Sequence, residues 1–166
     1  SLHDALPIWA VRRVTDKPVI MKLSPNVTSI TDMAKACEDA GADGISLINT
    51  LQGMRIDLRT RKPVLANVMG GISGPAVFPV AVRMVYEAAQ AVKLPIIGMG
   101  GVTDADSAVE LMLAGATMVA VGTASFAEPA VAEQVVDGLE RYARENGLKH
   151  IGELVGAVRD EADANI

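Results

Sequence analysis

Five short stretches carry groups that could do chemistry. Lys22 lies within the apolar run PVIMKL, residues 18–23. A lysine there is costly unless its ammonium meets an anion or escapes to solvent. It could place a cation beside an electron-rich cofactor or substrate, or simply snorkel from a strand edge. Asn49 and Thr50 follow the apolar run GISLI and offer donors and acceptors suited to a flat polar ligand; turn chemistry uses the same residues. The other stretches are glycine turns: Gly70-Gly71-Ile72-Ser73-Gly74, Gly100-Gly101 and Gly122-Thr123. Glycines expose backbone N–H groups, and a following helix N-terminus adds positive potential, so two such turns in succession suit a phosphate. They would also serve as plain tight turns. GMGGVT lacks the third glycine of a GxGxxG fingerprint.

Other chemistries find no support. Cys37 falls on the apolar face of a helix, as core packing would have it, and the single cysteine excludes a disulfide framework or a cysteine-rich zinc site. His150 stands alone, without partners for a triad or metal site. Carboxylates fall mainly in helices and caps. A net charge of −5 leaves no basic footprint for nucleic acid. No apolar run approaches the roughly 18 residues of a membrane span. With 50% hydrophobic and 21% charged residues in 166, the chain is expected to be one soluble, cytoplasmic α/β domain.

These stretches are spaced by alternating strand and helix patterns. Strands are expected at 18–23, 44–49, 94–99 and 117–121. Helices are expected from Ser29 as N-cap (with Asp32 three residues on) to Gly41, over 75–92, after a Thr103/Asp106 cap, and over 129–146. Within them, Ile30, Met33, Ala34 and Cys37 share one helical face, and Val109, Met112 and Leu113 another. AGADGISLINT (40–50) and AGATMVAVGTA (114–124) repeat the order helix end, glycine, buried strand at an offset of 74 residues. Strands that are apolar throughout imply parallel pairing beneath helices, and short equivalent βα units favour a TIM barrel over a doubly wound sheet. Four units are clear, and a short strand near Gly70–Ile72 would be a fifth. The expectation is the C-terminal part of a barrel, whose site lies at the C-terminal strand ends. SLHDALPIW resembles a translated sequencing-adapter oligonucleotide, so residues 1–8 are expected to be a non-native leader to a single domain over 9–166. The polar end EADANI is expected to fray.

VIMKLSPNVT, ISLINTLQGMRIDLRTRKPVLANVMGGISGPA, LPIIGMGGV and MVAVGTASF, in this order, resemble the class 1B dihydroorotate dehydrogenase catalytic subunit. The resemblance covers about residues 17–158. It implies a TIM barrel carrying FMN that oxidises dihydroorotate to orotate in pyrimidine biosynthesis. Electrons would pass to NAD through a partner subunit with FAD and a 2Fe-2S cluster, two catalytic subunits pairing within a heterotetramer. By motif position, Lys22 and Ile48 would contact the flavin, Gly74, Gly100, Gly101, Gly122 and Thr123 the rest of FMN, and Asn49 and Thr50 the pyrimidine. The family's catalytic base, a loop cysteine, matches no residue here, and Cys37 cannot replace it. The chain alone is therefore expected to be inactive. A related dihydropyrimidine dehydrogenase barrel, or a non-catalytic FMN- or phosphate-binding half-barrel, are the competing expectations; ANVMGGISGPA favours the first family.

Overall fold

A computed structural model describes residues 2–158. Helix α1 (Leu2–Arg12) comes first, then strand β1 (Ile20–Lys22), α2 (Ile30–Asp39) and β2 (Gly44–Leu47). Four short strands follow: β3 (Leu51–Met54), β4 (Ile56–Asp57), β5 (Lys62–Pro63) and β6 (Met69–Ile72). A 3₁₀ turn (Pro75–Val77) leads into α3 (Phe78–Ala91), then β7 (Ile96–Met99), α4 (Ala105–Ala114) and β8 (Met118–Ala120). The one-turn α5 (Ala124–Ala127), α6 (Val131–Glu145) and a second 3₁₀ turn (Ile151–Leu154) complete it. EADANI lies outside the described residues.

β1, β2, β7 and β8 form a four-stranded sheet in that order, every pair parallel. Each crossover carries a helix, and α2 packs on α3, α3 on α4 and α4 on α6. The parallel pairing follows the apolar runs: β2 is buried at all four positions, and Ile45, Leu47 and Ile96 are almost inaccessible. They pack with Ala34, Ala81, Val85, Ala88 and Leu111 in one main core. Small residues on α2, α3 and α4 let those helices approach the sheet closely. β1 and β8 are the sheet's edges among the described residues, and Ile20 and Met118 on them stay half-exposed.

The repeated segments superpose in kind. Gly41 and Gly115 both follow a helix in the left-handed region, at φ 82° and 124°, and each leads into a strand of the parallel sheet. Ser29 caps α2 by accepting from the Asp32 N–H. Ile8, within the expected leader, is fully buried in the core. At the end of the same helix, Arg12 pairs with Asp43 and donates to the Gly41 carbonyl at 3.1 Å.

Three expectations are corrected. The strand near Gly70–Ile72 exists but is not a fifth unit of the parallel sheet: β6 pairs antiparallel with β3. With β4 and β5, also antiparallel, it makes a ribbon arm from Leu51 to Ile72. The helix expected over 75–92 is in two pieces, because Pro79 has no N–H and its ring opposes the carbonyl four residues back. The cap of α4 is Asp104 with Ser107, one residue beyond Thr103 and Asp106. Asp104 accepts from the Ser107 N–H at 2.8 Å, Ser107 Oγ accepts from the Asp104 N–H, and the Thr103 hydroxyl donates to Asp104.

Candidate functional site

The strand ends converge. A cleft of about 680 Å³ opens at the C-terminal ends of β1, β2, β7 and β8, a size typical of small-molecule sites. Lys22, Ile48, Asn49, Thr50, Gly74, Gly100, Gly101, Gly122 and Thr123 all line it. The residues expected to act together from sequence therefore share one wall, although 101 positions separate Lys22 from Thr123. Parallel pairing causes this, since it places all four strand ends on the same side.

The β2 end is held firmly. The Ile48 N–H donates to the Met99 carbonyl at 2.8 Å and the Asn49 N–H to the Leu23 carbonyl at 3.1 Å, so the chain runs between its two neighbours past the strand proper. The Leu47–Ile48 peptide bond is cis. Asn49 Oδ1 accepts from the Thr50 N–H at 2.9 Å. Its oxygen is thus engaged by its own backbone, and its NH₂ remains a donor at the cleft.

The glycine turns differ from one another. Gly100 and Gly101 hold φ of 120° and 82°, which L side chains rarely adopt. A Cβ at Gly100 would press on Ile48 at 2.9 Å, and one at Gly101 on the Gly74 carbonyl at 2.8 Å. Gly74 takes φ 89° in open space. A Cβ at Gly122 would meet nothing within 4 Å, and its φ is unremarkable. Glycine at 122 leaves space at the cleft that the fold itself does not need. Among the described residues, the backbone N–H groups of Gly100, Gly101, Gly122 and Thr123 have no internal acceptor.

The expected helix dipole at Asp104 is corrected. The start of α4 is already satisfied by the Asp104 carboxylate, which the Ser107 N–H and hydroxyl hold below its ordinary value of 3.8. A second anion there would face that negative charge. The start of α5 has no side-chain cap, so Gly122 and Thr123 add open N–H groups to those of Gly100 and Gly101.

Lys22 ends edge strand β1, opposite Ser46, with no ion-pair partner among the described residues. Among the described residues it is the one cation lining the cleft. Glu128 lines the cleft too, unforeseen from sequence, but its carboxylate accepts from the Ala130 N–H at 3.0 Å ahead of α6. Cys37 is buried in α2, as expected. His150 Nδ1 accepts from the Gly152 N–H at 2.9 Å, which makes it the cap of the last 3₁₀ turn. No group of three His, Cys, Asp or Glu residues that could hold a metal occurs among the described residues. No helix among them is long and apolar enough to cross a membrane.

Sequence reasoning missed the polar shelf beside this cleft, where Ser24, Asn26 and Gln52 meet Asn49, Thr50 and Gly71. Neither SPN nor Gln52 stands out in the sequence, and within 51–72 only the run near Gly70–Ile72 reads as a strand. The signal available was the pair of glycine-interrupted apolar runs LQGM and MGGI, which pair as β3 and β6.

The chain is similar to known proteins over most of its length. The dihydroorotate dehydrogenase family model matches residues 4–142. A Geotalea uraniireducens protein named dihydroorotate dehydrogenase B (NAD(+)), catalytic subunit, is 59% identical over 148 residues, 89% of this chain and 48% of the relative. Its namesakes from Pelobacter propionicus and Geobacter metallireducens are 57% and 59% identical over 91% and 92% of this chain, each covered by half. The chain spans about half the length of the curated relatives it matches. With the family match running across nearly all of the parallel sheet and its cleft, the chain belongs to the dihydroorotate dehydrogenase family.

Proposed function

We propose that this chain is the FMN-holding, C-terminal part of the catalytic subunit of a B-type dihydroorotate dehydrogenase, a cytoplasmic enzyme that oxidises dihydroorotate to orotate in pyrimidine biosynthesis. The observation that carries this is the convergence of nine separately expected residues on one cleft at the parallel strand ends. The four-stranded sheet would be an arc of a TIM barrel in a single domain over residues 9–166, completed by strands outside this chain.

The cleft suits FMN. Ile48 and Lys22 would lie against the flavin, with Gly74, Gly100, Gly101, Gly122 and Thr123 around the remainder. The unpaired N–H groups of the glycine turns would receive the phosphate, and the space at Gly122 would admit it. Bound FMN supplies the acceptor for the hydride removed from substrate. The protein's own work is then electrostatic and positional. Lys22 holds positive charge where negative charge develops during oxidation. Asn49 offers its NH₂ to a carbonyl or carboxylate oxygen of the pyrimidine, and Thr50 adds a hydroxyl beside it. The C5 proton needs a base within about 3 Å or one water. Among the described residues the cleft lining holds Lys22, already assigned the role above, and Glu128, whose carboxylate is bound to backbone. The base is therefore assigned outside this chain.

The relatives' name, with NAD(+) and "catalytic subunit" in it, supports a second subunit that carries electrons to NAD. FAD and a 2Fe-2S cluster would reside there, and two such pairs would form a heterotetramer.

The test is anaerobic. Full-length protein should purify with about one FMN per subunit, and dihydroorotate should bleach its visible absorbance while dihydrouracil does not. Flavin-free protein, or bleaching by dihydrouracil alone, would contradict the assignment.

A further inference from the structure

Asn26 closes the Ser24-Pro25-Asn26 turn after β1, with Pro25 buried and fixing the turn. Its side chain crosses to the segment that follows β2. Nδ2 donates to the Thr50 carbonyl at 3.0 Å, and Oδ1 accepts from the Gln52 N–H at 2.9 Å. Those two backbone groups flank Leu51, and the carboxamide offers them what a neighbouring strand would offer. Its orientation is determined by its partners. Thr50 presents an acceptor and Gln52 a donor, so a flipped amide would face like against like at both. Ser24 Oγ adds a further acceptor, reached by the Asn26 N–H at 3.1 Å and by Nδ2 at 3.2 Å.

The other side of the same segment is fixed independently. The Thr50 side chain rests against Gly71 on β6, where any Cβ would overlap it. Asn49 and Thr50 are therefore held between the β1 turn and the ribbon arm, and Asn26 is the side chain that joins the sheet to that arm's first strand.

We propose that Asn26 is a positioning residue that sets the Asn49–Thr50 pair toward the pyrimidine without touching it, an inference that rests on the substrate assignment above. It acts on ligand affinity, not on the electron-transfer step, because its bonds lie on Ser24 and on the backbone of Thr50 and Gln52, and none reaches Lys22.

The test uses full-length holoenzyme. Asn26→Asp keeps size and the acceptor for Gln52 but turns an oxygen toward the Thr50 carbonyl; Asn26→Ala removes both bonds. In each, KM for dihydroorotate should rise about tenfold, the worth of roughly one neutral hydrogen bond at about 1.4 kcal/mol. kcat should stay within about threefold and FMN content should not change. Amide hydrogen exchange at Gln52 should accelerate in Asn26→Ala and remain slow in Asn26→Asp, a split that a general loss of stability would not produce. Equal Gln52 exchange in wild type and Asn26→Ala would overturn the clamp. Faster exchange with KM unchanged in both variants would overturn the positioning role. So would parallel loss of FMN and Tm in both. Wild-type enzyme inactive on dihydroorotate would contradict the proposed function instead, while Gln52 exchange would still decide the clamp.

Discussion

Glycine does different work in the parallel sheet and in the ribbon arm. At the sheet's strand ends, Gly100 and Gly101 are required by positive φ and by backbone or core atoms close at hand. In the arm, Gly53, Gly70 and Gly71 sit mid-strand in extended pairing, and each yields room to a side chain: Ile72, Leu65 and Thr50 respectively. A side chain at Gly101 would have to move main chain, and one at Gly100 the buried Ile48. One in the arm moves only a neighbour's side chain, at a cost set by that neighbour's stiffness. The sheet thus provides a rigid floor for the cleft. The arm adjusts one edge of it, and the Asn49–Thr50 pair, proposed above to bind substrate, lies at the junction.

That contrast can be broken or sharpened by substitution in the full-length protein. The largest effect is expected on the floor. Lys22→Ala should slow flavin reduction by dihydroorotate on the order of 10²–10³-fold, as loss of one preorganised electrostatic group does, with FMN content nearly unchanged. A stopped-flow rate within about twofold of wild type would leave Lys22 as a snorkelling edge residue. At the junction, Gly71→Val should displace the β-branched Thr50, which cannot swing aside cheaply. KM for dihydroorotate should rise on the order of 10–100-fold while FMN is retained; an unchanged KM would show that the arm does not govern the substrate edge.

Away from the cleft, Asp104→Ala should cost about 1 kcal/mol, the usual worth of an N-cap, read as a lower Tm. Because the folded Asp104 carboxyl titrates below 3.8, its contribution is complete above that value. It disappears as pH falls through the lower folded value. The Tm difference between variant and wild type should therefore be constant near neutrality and vanish in strong acid, and a gap that persists there would assign it to packing. Smallest of all, Gly53→Ala meets Cδ1 and Cγ1 of half-exposed Ile72 at 2.6 and 2.7 Å, which must turn outward at a cost of no more than about 1 kcal/mol, so Tm should fall slightly and KM stay within error of wild type.

The same contrast explains what could be foreseen. The sheet was legible because each strand is a short apolar run and α2 and α4 each end at a glycine, so Gly41 and Gly115 announced equivalent units. Lys22, Asn49 and the glycine turns stood out as strand-end exceptions to those runs. Of the arm only the strand near Gly70–Ile72 was legible, and not its pairing: glycines at 53, 70 and 71 interrupt the alternation that marks a half-buried strand, and antiparallel pairing joins segments separated by chain without periodicity. Asn26 was hidden for a related reason. Its partners lie 24 and 26 residues away, and nothing local distinguishes a clamp from a turn. The Asp104 cap was misplaced by one because Thr103 is also a good cap, and the reciprocal bond from Ser107 decides between them.

The central claim is that the glycine turns at the β7 and β8 ends receive the FMN phosphate. Gly122 tests it most directly, since a Cβ there meets no protein atom within 4 Å and its φ lies outside the left-handed region. The measurement is the FMN dissociation constant of full-length Gly122→Val beside wild type, with the Tm of both flavin-free proteins as control. The account predicts an unchanged flavin-free Tm and FMN binding weakened at least about tenfold, because the valine occupies space reserved for the phosphate. Equal FMN affinity with an intact fold would contradict it.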